Sequence, residues 1–323
     1  MKTKNIIVLL SALLMVPAMA NAQDTPELVV PSLEVEEASE AMGFSRIVRN
    51  PASAAKGFAG IASPSSIAWS SFNNSAVIPF SEKKFDLGLL YQSWAPGSVK
   101  SNDFGVGAAG KFTEHIGMSF GFLMQNGESY PVINESGSIK DEFTPKDMQV
   151  NLGFAYRFGD LISMGVNMKY LSSTLTDEDS YKVFAGDIFA QGCFGGVNVA
   201  MGLSNVGSSV KDQSGNKFKI PASVTFGADY TLYLAELHGL NFVADFDYFL
   251  SGNVTAALGC EYGFNDMVFA RFGYHYGSKK AVLPSFATVG LGLKFFGLQL
   301  DFAYLTANEF LGNTMTVGLG YSF

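Results

Sequence analysis

The sequence contains few of the residues on which catalytic and metal-binding sites depend. Its 323 residues include three histidines and two cysteines, and they show no nucleophile, base and oxyanion donor at a spacing that would assemble a catalytic set. We therefore expect no enzyme activity, no metal site and no cofactor. Cys193 and Cys260 fall in different predicted strands with side chains on opposite faces, so we expect two free thiols.

Basic residues and long apolar runs are scarce as well. Lysine and arginine together number 21 against 29 acidic residues, for a formal net charge of −8. Because nucleic-acid binding requires a basic surface, this balance argues against a nucleic-acid partner. After residue 22, no apolar run reaches the ~18 residues that a membrane-spanning helix needs. A chain that is 48% hydrophobic without such a run favours a closed β-barrel, whose backbone groups pair between strands.

The N-terminus has the layout of a secretory signal peptide. Lys2 and Lys4 precede an apolar run over residues 6–16, and small residues follow that run. This order predicts an export signal over residues 1–22, which is cleaved from the mature chain. The apolar run is too short to cross a bilayer as a helix.

The sequence over residues 85–323 alternates between apolar and small or polar residues. Near the C-terminus, for example, Val317 and Leu319 alternate with Thr316 and Gly318. Successive residues of a strand point to opposite faces, so the pattern predicts an apolar outer face and a lumen lined by small residues. We expect an all-β fold, a transmembrane antiparallel β-barrel of about 14 strands, with twelve and sixteen as the alternative counts. The strands are expected to begin near Phe85, Phe104, His115, Asp147, Leu161, Tyr181, Val197, Ala222, Leu240, Val254, Met267, Ser285, Leu298 and Thr314.

Short and long connections alternate along the predicted barrel. Gly195-Gly196 and Phe296-Gly297 suit tight turns, whereas the stretch 126–146 suits a longer loop. Outer-membrane barrels have short periplasmic turns and longer outer loops. The pattern therefore predicts a barrel in the bacterial outer membrane, surrounded by lipid, with both ends in the periplasm.

The last predicted strand ends on a recognisable pattern. Thr316, Gly318, Tyr321 and Phe323 form polar-x-Gly-x-x-aromatic-x-aromatic, and the final aromatic is the last residue of the sequence. This pattern resembles the strand that the barrel-assembly machinery recognises, so we expect that machinery to be a partner. The alternative is an ordinary edge strand of a periplasmic β-sandwich.

Residues 23–84, between the signal and the first predicted strand, have a different composition. Small residues dominate from Arg49 to Gly60, and an aromatic, Asn-rich stretch follows from Trp69 to Ala76. This layout resembles the start of the PorV/PorQ family of Bacteroidetes outer-membrane proteins, which belongs to the FadL-type β-barrel superfamily. In that family the second stretch contains Asn-Pro-Ala, which does not follow Trp69 here. By this resemblance, residues 41–80 form a segment that fills the lumen, and we call it the hatch.

Several charged residues of the predicted strands point into the lumen by strand parity, and three basic residues of the hatch could pair with them. An unpaired charge in a confined interior costs several kcal/mol, so we expect these residues to form ion pairs that brace the barrel and the hatch. The alternative is a polar path for a substrate. The candidates are Arg46, Arg49, Lys56, Asp245, Asp247, Glu261, Arg271, Lys294 and Asp301.

The resemblance implies two classes of function. PorV-like proteins act in type IX secretion, where they capture the C-terminal domains of exported proteins at the outer membrane. The first expectation is therefore a secretion or assembly accessory whose partners are secreted proteins or other secretion-complex subunits. The alternative is a FadL-like channel that admits hydrophobic small molecules, with the hatch as its gate. A purely structural role is a third reading.

Overall fold

We describe the protein from a computed structural model. The structure describes residues 40–95, 100–133, 139–176, 179–211, 215–278, 281, 283–306 and 313–323. The predicted signal peptide and residues 23–39 lie outside these described residues.

Strands make up most of the described chain. They are β1 (Phe85–Trp94), β2 (Ser101–Lys111), β3 (Ile116–Asn126), β4 (Tyr130–Ile133), β5 (Ile139–Phe143), β6 (Lys146–Phe158), β7 (Ile162–Thr174), β8 (Ser180–Phe194), β9 (Val197–Gly207), β10 (Val210–Lys211), β11 (Lys217–Phe218), β12 (Ser223–Ala235), β13 (His238–Phe249), β14 (Val254–Phe264), β15 (Val268–Gly277), β16 (Phe286–Phe295), β17 (Leu298–Leu305) and β18 (Thr314–Ser322).

Fourteen of these strands close into one antiparallel barrel. The order around the wall is β1, β2, β3, β6, β7, β8, β9 and then β12 to β18, and β18 pairs with β1 to complete the ring. The pairs β4–β5 and β10–β11 form separate two-stranded hairpins in the loops. The prediction of an all-β barrel of about 14 strands is therefore confirmed.

The two faces of the wall differ as the alternation requires. On β18, Val317 and Leu319 are exposed on the outer face, whereas Thr314 and Thr316 are fully buried on the inner face. The same alternation recurs around the wall, and large apolar side chains dominate the outer face. Such an apolar outer band is typical of membrane barrels. Among the described residues, no helix is long and apolar enough to cross a membrane.

The barrel has one end with tight turns and one end with longer loops. At the turn end, Gly195 and Gly196 both have positive φ angles, 59° and 94°, as a two-residue hairpin turn requires. The link 250–253 between β13 and β14 is the shortest connection that we describe at the loop end. The chain enters β1 and leaves β18 at the turn end, so the hatch precedes β1 from that side.

The hatch consists of short helical turns joined by extended stretches. A helix spans Pro51–Ala54, and 3₁₀ turns span Gly43–Arg46, Ser70–Phe72 and Ser75–Phe80. The side chain of Asn50 caps the helix by accepting hydrogen bonds from the backbone N–H groups of its first turn. Most hatch residues are buried against the inner faces of the strands. The chain crosses the interior from the loop end, where Ala41 donates to the carbonyl of Lys219, to the start of β1.

Candidate functional site

Arg49 is the most deeply held charge between the hatch and the wall. The residue is 2% exposed, and its guanidinium pairs with Asp103 on β2, whose side chain is fully buried. Nη1 also donates to Gln92 Oε1 on β1 at 2.7 Å, and Nη2 donates to the hatch carbonyl of Phe44 at 3.2 Å. Charge-assisted hydrogen bonds of this kind are among the stronger ones in proteins. Arg49 therefore ties one loop-side stretch of the hatch to two neighbouring strands.

A second arginine of the hatch, Arg46, makes the equivalent contact on the opposite arc. Its Nη2 lies 2.9 Å from Asp247 Oδ1 on β13, and the guanidinium stacks over the ring of Phe249 at 4.8 Å. Asp247 also accepts hydrogen bonds from the hydroxyls of Thr225 and Thr255. Both oxygens of this carboxylate thus have partners in the wall or the hatch.

Two wall carboxylates hold the hatch by its backbone instead. Asp245 Oδ2 accepts the N–H groups of Gly60 and Ile61 at 2.8 and 3.0 Å. On the other side of the barrel, Asp86 on β1 accepts two successive hatch N–H groups in the same way, at 2.9 and 3.2 Å. A carboxylate that accepts two backbone N–H groups fixes the position of the chain as well as its charge.

The remaining candidates have other partners. Lys56 of the hatch donates to Asn241 Oδ1 at 3.1 Å, and no carboxylate lies within ion-pair distance of it among the described residues. Arg271 bridges Glu261 and Asp301, with its Nη1 2.5 Å from Asp301 Oδ1. This triad joins three strands of the wall.

Lys294 lies away from the hatch contacts. Its Nζ is 2.5 Å from Asp266, an exposed residue of the turn between β14 and β15. The lysine therefore braces the turn end of the wall. Of the nine charges that the sequence singles out, Arg46 and Asp247 pair directly with each other across the hatch contact, and Arg271 pairs with Glu261 and Asp301 within the wall.

The inner face of the wall approaches the hatch closely because much of it is glycine. A Cβ on Gly259 would lie 2.5 Å from Lys56 Cβ, and one on Gly88 would lie 2.7 Å from the ring of Trp69. Both distances are too short for real carbon contacts. These glycines therefore leave the space that the hatch occupies.

The C-terminal pattern lies at the seam that closes the barrel. Thr316 points inward, while Tyr321 and Phe323 point outward. The N–H of Phe323 donates to the carbonyl of Phe85, whose own N–H donates back to Phe323, and the two rings stack 5.2 Å apart. The last residue therefore contributes backbone pairing and aromatic contact to the join between β1 and β18.

Several buried wall charges lie outside the sequence-based set of nine, and two of them form buried ion pairs. One is Asp103, the partner of Arg49. The other is Lys169 on β7, whose Nζ lies 2.7 Å from Asp187 on β8 and donates to Asn205 Oδ1 at 2.9 Å. Asn205 has a positive φ of 53° where the β8–β9 ladder is irregular, so this pair stabilises a local bulge in the wall.

A small cavity remains near the loop end, between the hatch and the wall. Its volume is about 40 Å³. Its lining combines polar groups of Arg46, Asp245, Asp247 and His275 with apolar side chains that include Phe58. Among the described residues, no group of three or more acidic, histidine or cysteine side chains is placed to hold a metal ion.

The loop end above this cavity is closed by apolar side chains. Hatch residues such as Phe44 and Ile47 pack with Trp94, Leu283 and Phe286 of the wall and loops. All of these side chains are less than a tenth exposed. In the described conformation an apolar cluster therefore covers the polar hatch contacts.

Comparisons by sequence and by structure give different results. No protein family and no curated protein matches the chain by sequence. In contrast, the toluene transporter TodX of Pseudomonas putida shares the fold with a TM-score of 0.57 at 12% identity, over 84% of this chain and 96% of TodX. The monoaromatic hydrocarbon channel CymD gives a TM-score of 0.59 at 12% identity, over 85% of this chain and 97% of CymD. A deltaS2 mutant of TodX gives 0.58 at 14% identity, over 84% and 98%.

At such low identities the likeness concerns the fold alone. It extends over nearly the whole length of each neighbour, so it describes the complete barrel rather than a shared sub-structure. The neighbours are a toluene transporter and a monoaromatic hydrocarbon channel. The FadL-type superfamily and the PorV/PorQ family both remain predictions from the sequence.

Proposed function

We propose that this protein is an outer-membrane channel for small apolar molecules, with the hatch as its gate, and that it is not an enzyme. This is the alternative reading of the sequence, and two independent findings favour it over the secretion accessory. The barrel shares its fold with a toluene transporter and a monoaromatic hydrocarbon channel. The loop end of the lumen is also lined by apolar and aromatic side chains, which suit a hydrophobic ligand.

The observation that carries the proposal is that polar contacts bind the hatch to the barrel wall. Arg46, Arg49 and the backbone N–H groups at Gly60 and Ile61 bind wall carboxylates. Each of these groups regains hydrogen bonds to water when the hatch leaves the wall, so the net cost per contact is modest. A plug held by reversible polar contacts suits a gate better than a permanent core does.

The described conformation is closed. A cavity of about 40 Å³ is well below the ~150 Å³ that a benzene-sized molecule occupies in a protein interior. Passage of a hydrocarbon therefore requires displacement of hatch and loop side chains. This requirement gives the proposal a direct test.

The test compares uptake of a labelled monoaromatic hydrocarbon by cells with and without the protein. A matched variant locks the hatch: Ser75 and Ser119 have hydroxyl oxygens 2.9 Å apart, so Ser75→Cys with Ser119→Cys should form a disulfide between the hatch and β3. The native Cys193 and Cys260 are both free, and both are first replaced by serine.

Wild-type protein should raise uptake, the oxidised variant should abolish the increase, and a reductant should restore it. Equal uptake with and without wild-type protein refutes the channel. If uptake persists in the oxidised variant, the hatch segment near Ser75 does not have to move, and the gate consists of hatch residues before Ser75.

A secretion accessory of the PorV type is the second candidate. The observation that favours it is the closed lumen together with the extra hairpins β4–β5 and β10–β11, which offer binding surfaces outside the barrel. The test is purification of the protein from gently solubilised outer membranes. Exported proteins that bind through their C-terminal domains, and are lost when β10–β11 is shortened, would support this function.

A further inference from the structure

The cavity near the loop end contains polar atoms that the protein itself does not satisfy. Asp245 uses Oδ2 to hold the backbone of Gly60 and Ile61, while its Oδ1 has no hydrogen-bond partner among the described residues. His275 also lines the cavity and is 5% exposed; the backbone of Gly57 approaches it, but neither ring nitrogen makes a hydrogen bond of normal geometry among the described residues. A buried polar group without a partner costs about 1–3 kcal/mol. These atoms therefore mark a place where a polar ligand group would be stabilised.

The surroundings of His275 are aromatic. Its ring stacks on Phe286 with centroids 4.9 Å apart and an interplanar angle of 14°, and Phe58 of the hatch meets it edge-on at 5.8 Å. Phe249 and Leu283 complete the apolar side of the cavity. The site is thus amphipathic, with an aromatic wall beside a few polar atoms, as small-molecule sites generally are.

The charges around the cavity restrict the ligand further. Arg46 is paired with Asp247, which also accepts hydrogen bonds from Thr225 and Thr255. An anionic ligand would face the carboxylate of Asp245, and the one arginine or lysine among the cavity-lining residues, Arg46, is already paired. A neutral hydroxyl suits the site, because it donates to a carboxylate oxygen and accepts from, or donates to, an imidazole nitrogen.

We propose that this cavity binds small ring compounds that carry one hydroxyl group, either phenols or alicyclic alcohols. The hydroxyl lies between Asp245 Oδ1 and His275, and the ring packs against Phe58 and Phe286. The inference rests on the proposed channel function and narrows its substrate class from apolar molecules in general to neutral ring alcohols.

Binding of such a ring requires a local rearrangement. The closed cavity of about 40 Å³ has room for about three water molecules, so the ring must displace Leu283 or part of the hatch. Trp94 lies 6.3 Å from Phe58, and its fluorescence should report that movement. Trp69, the only other tryptophan of the sequence, belongs to a separate buried cluster with Phe72 and Leu90, and it is replaced by phenylalanine as a background change.

The experiment titrates purified protein with cyclohexanol and with methylcyclohexane, followed by Trp94 fluorescence. The two compounds differ by a hydroxyl in place of a methyl group, and neither absorbs where tryptophan is excited. Both partition into detergent, so the decisive quantity is the change in each affinity that a variant causes. The variants are His275→Phe, which keeps an aromatic ring, and Asp245→Asn, which keeps an oxygen for the hatch N–H groups. Matched controls are His238→Phe and Asp266→Asn at the turn end.

We expect His275→Phe and Asp245→Asn each to weaken cyclohexanol binding by roughly ten- to a hundredfold, the range for a lost hydrogen bond to a charged or buried group. Methylcyclohexane binding should change by less than about twofold, and the controls should change neither affinity. Equal losses for both compounds would overturn the proposal, because they would indicate a structural role for the two residues. Unchanged cyclohexanol binding would also overturn it, since the cavity would then hold water only.

The outcome is separable from that of the channel proposal. Hydrocarbon uptake without a hydroxyl preference refutes this site and leaves the channel intact. A hydroxyl preference in the titration without uptake by cells refutes the channel and leaves the binding site. If one variant fails to give folded, heat-modifiable barrel, the other variant decides.

Discussion

Replacing Arg49 by methionine should release the hatch without unfolding the barrel. The change leaves Asp103, whose side chain is fully buried, without its charged partner. Removing one member of a buried ion pair typically costs about 3–5 kcal/mol, because the remaining charge stays desolvated. In this protein water can reach the carboxylate of Asp103 once the hatch leaves the wall, so the charge is solvated in the undocked state. The substitution should therefore shift the equilibrium between docked and undocked hatch towards the undocked state.

The expected magnitude follows from that energy. A loss of about 3–5 kcal/mol multiplies the undocked fraction by roughly two hundred- to five thousandfold. The assay uses a serine-for-cysteine background with Ser71→Cys as the single thiol. Ser71 lies in the hatch and is fully buried, so its labelling rate by a membrane-impermeant maleimide reports the undocked fraction.

Two comparisons make this prediction refutable. Lys294→Met removes an ion pair to the exposed Asp266 and should change the labelling rate by less than about fivefold. Arg49→Met with Asp103→Leu removes both charges and should label more slowly than Arg49→Met alone. A labelling rate for Arg49→Met equal to that of wild type would refute the reasoning. A fall in barrel melting temperature with no faster labelling would show that the pair holds the wall instead.

Three further predictions concern the wall and its lumen. Phe323→Ser should lower the amount of heat-modifiable barrel in the outer membrane, because Phe323 provides backbone pairs and ring stacking at the β1–β18 seam. The control is Phe295→Ser, which changes a residue that is also exposed but lies away from the C-terminus. Wild-type amounts of the Phe323→Ser barrel would contradict the prediction. Leu258→Arg and Phe302→Arg each place a charge on the predicted lipid face and should destabilise the folded barrel in lipid vesicles by about 2–4 kcal/mol if near the midplane. The free energy of unfolding is measured in urea, with Leu258→Met as the control. An unchanged free energy of unfolding would mean that these faces do not meet lipid. Full-length protein should form no steady pore in a planar bilayer, whereas protein without residues 41–80 should conduct, and steady conductance from the intact protein would refute the closed lumen.

The wall was largely predictable from the sequence because its signal is local. The period-two alternation and the turn residues need only neighbouring positions, and the structure has the fourteen strands that they predict. Lumen-facing charges follow from the same parity. Glu261 and Arg271 lie opposite each other on adjacent strands and do pair, which parity plus strand order suffices to suggest. Arg271 reaches Asp301 on β17 across Gly292 of the intervening strand β16.

The hatch contacts were less predictable because they depend on the path of a segment without regular periodicity. Asp103 was missed since the second strand was expected to begin near Phe104, whereas β2 begins at Ser101. Gly105 and Gly107 point inward, and the same alternation continued two residues towards the N-terminus places Asp103 on the inner face. The sequence does not show that Arg49 is the partner of Asp103. The position of Arg49 depends on how the helix Pro51–Ala54 and its cap are placed in the lumen.

Strand parity predicts whether a side chain points into the lumen or outward, but it does not predict which atoms the side chain contacts there. It places Gly259 on the lumen face, where a small substituent would seem tolerable in an open channel. In the structure a Cβ at this position meets the backbone and side chain of Lys56. Gly259→Ser should therefore displace the hatch, so its effect belongs with the labelling assay and not with the lipid-face substitutions.

The chemistry of the hatch contacts bears on why a barrel would be filled in this way. A purely apolar plug would lose about 25 cal/mol for every Å² exposed on release, and it would also offer its exposed surface to other apolar partners. The contacts of Arg46, Arg49 and Asp245 instead exchange protein partners for water, at a net cost of about 0.5–3 kcal/mol for each hydrogen bond. The glycine-rich wall lets these few polar contacts form at backbone distance, so a short segment seals the lumen. A hydroxyl bound to Asp245 Oδ1 leaves the two hatch contacts on Oδ2 in place, so opening of the hatch depends on the exchange of the other polar contacts for water.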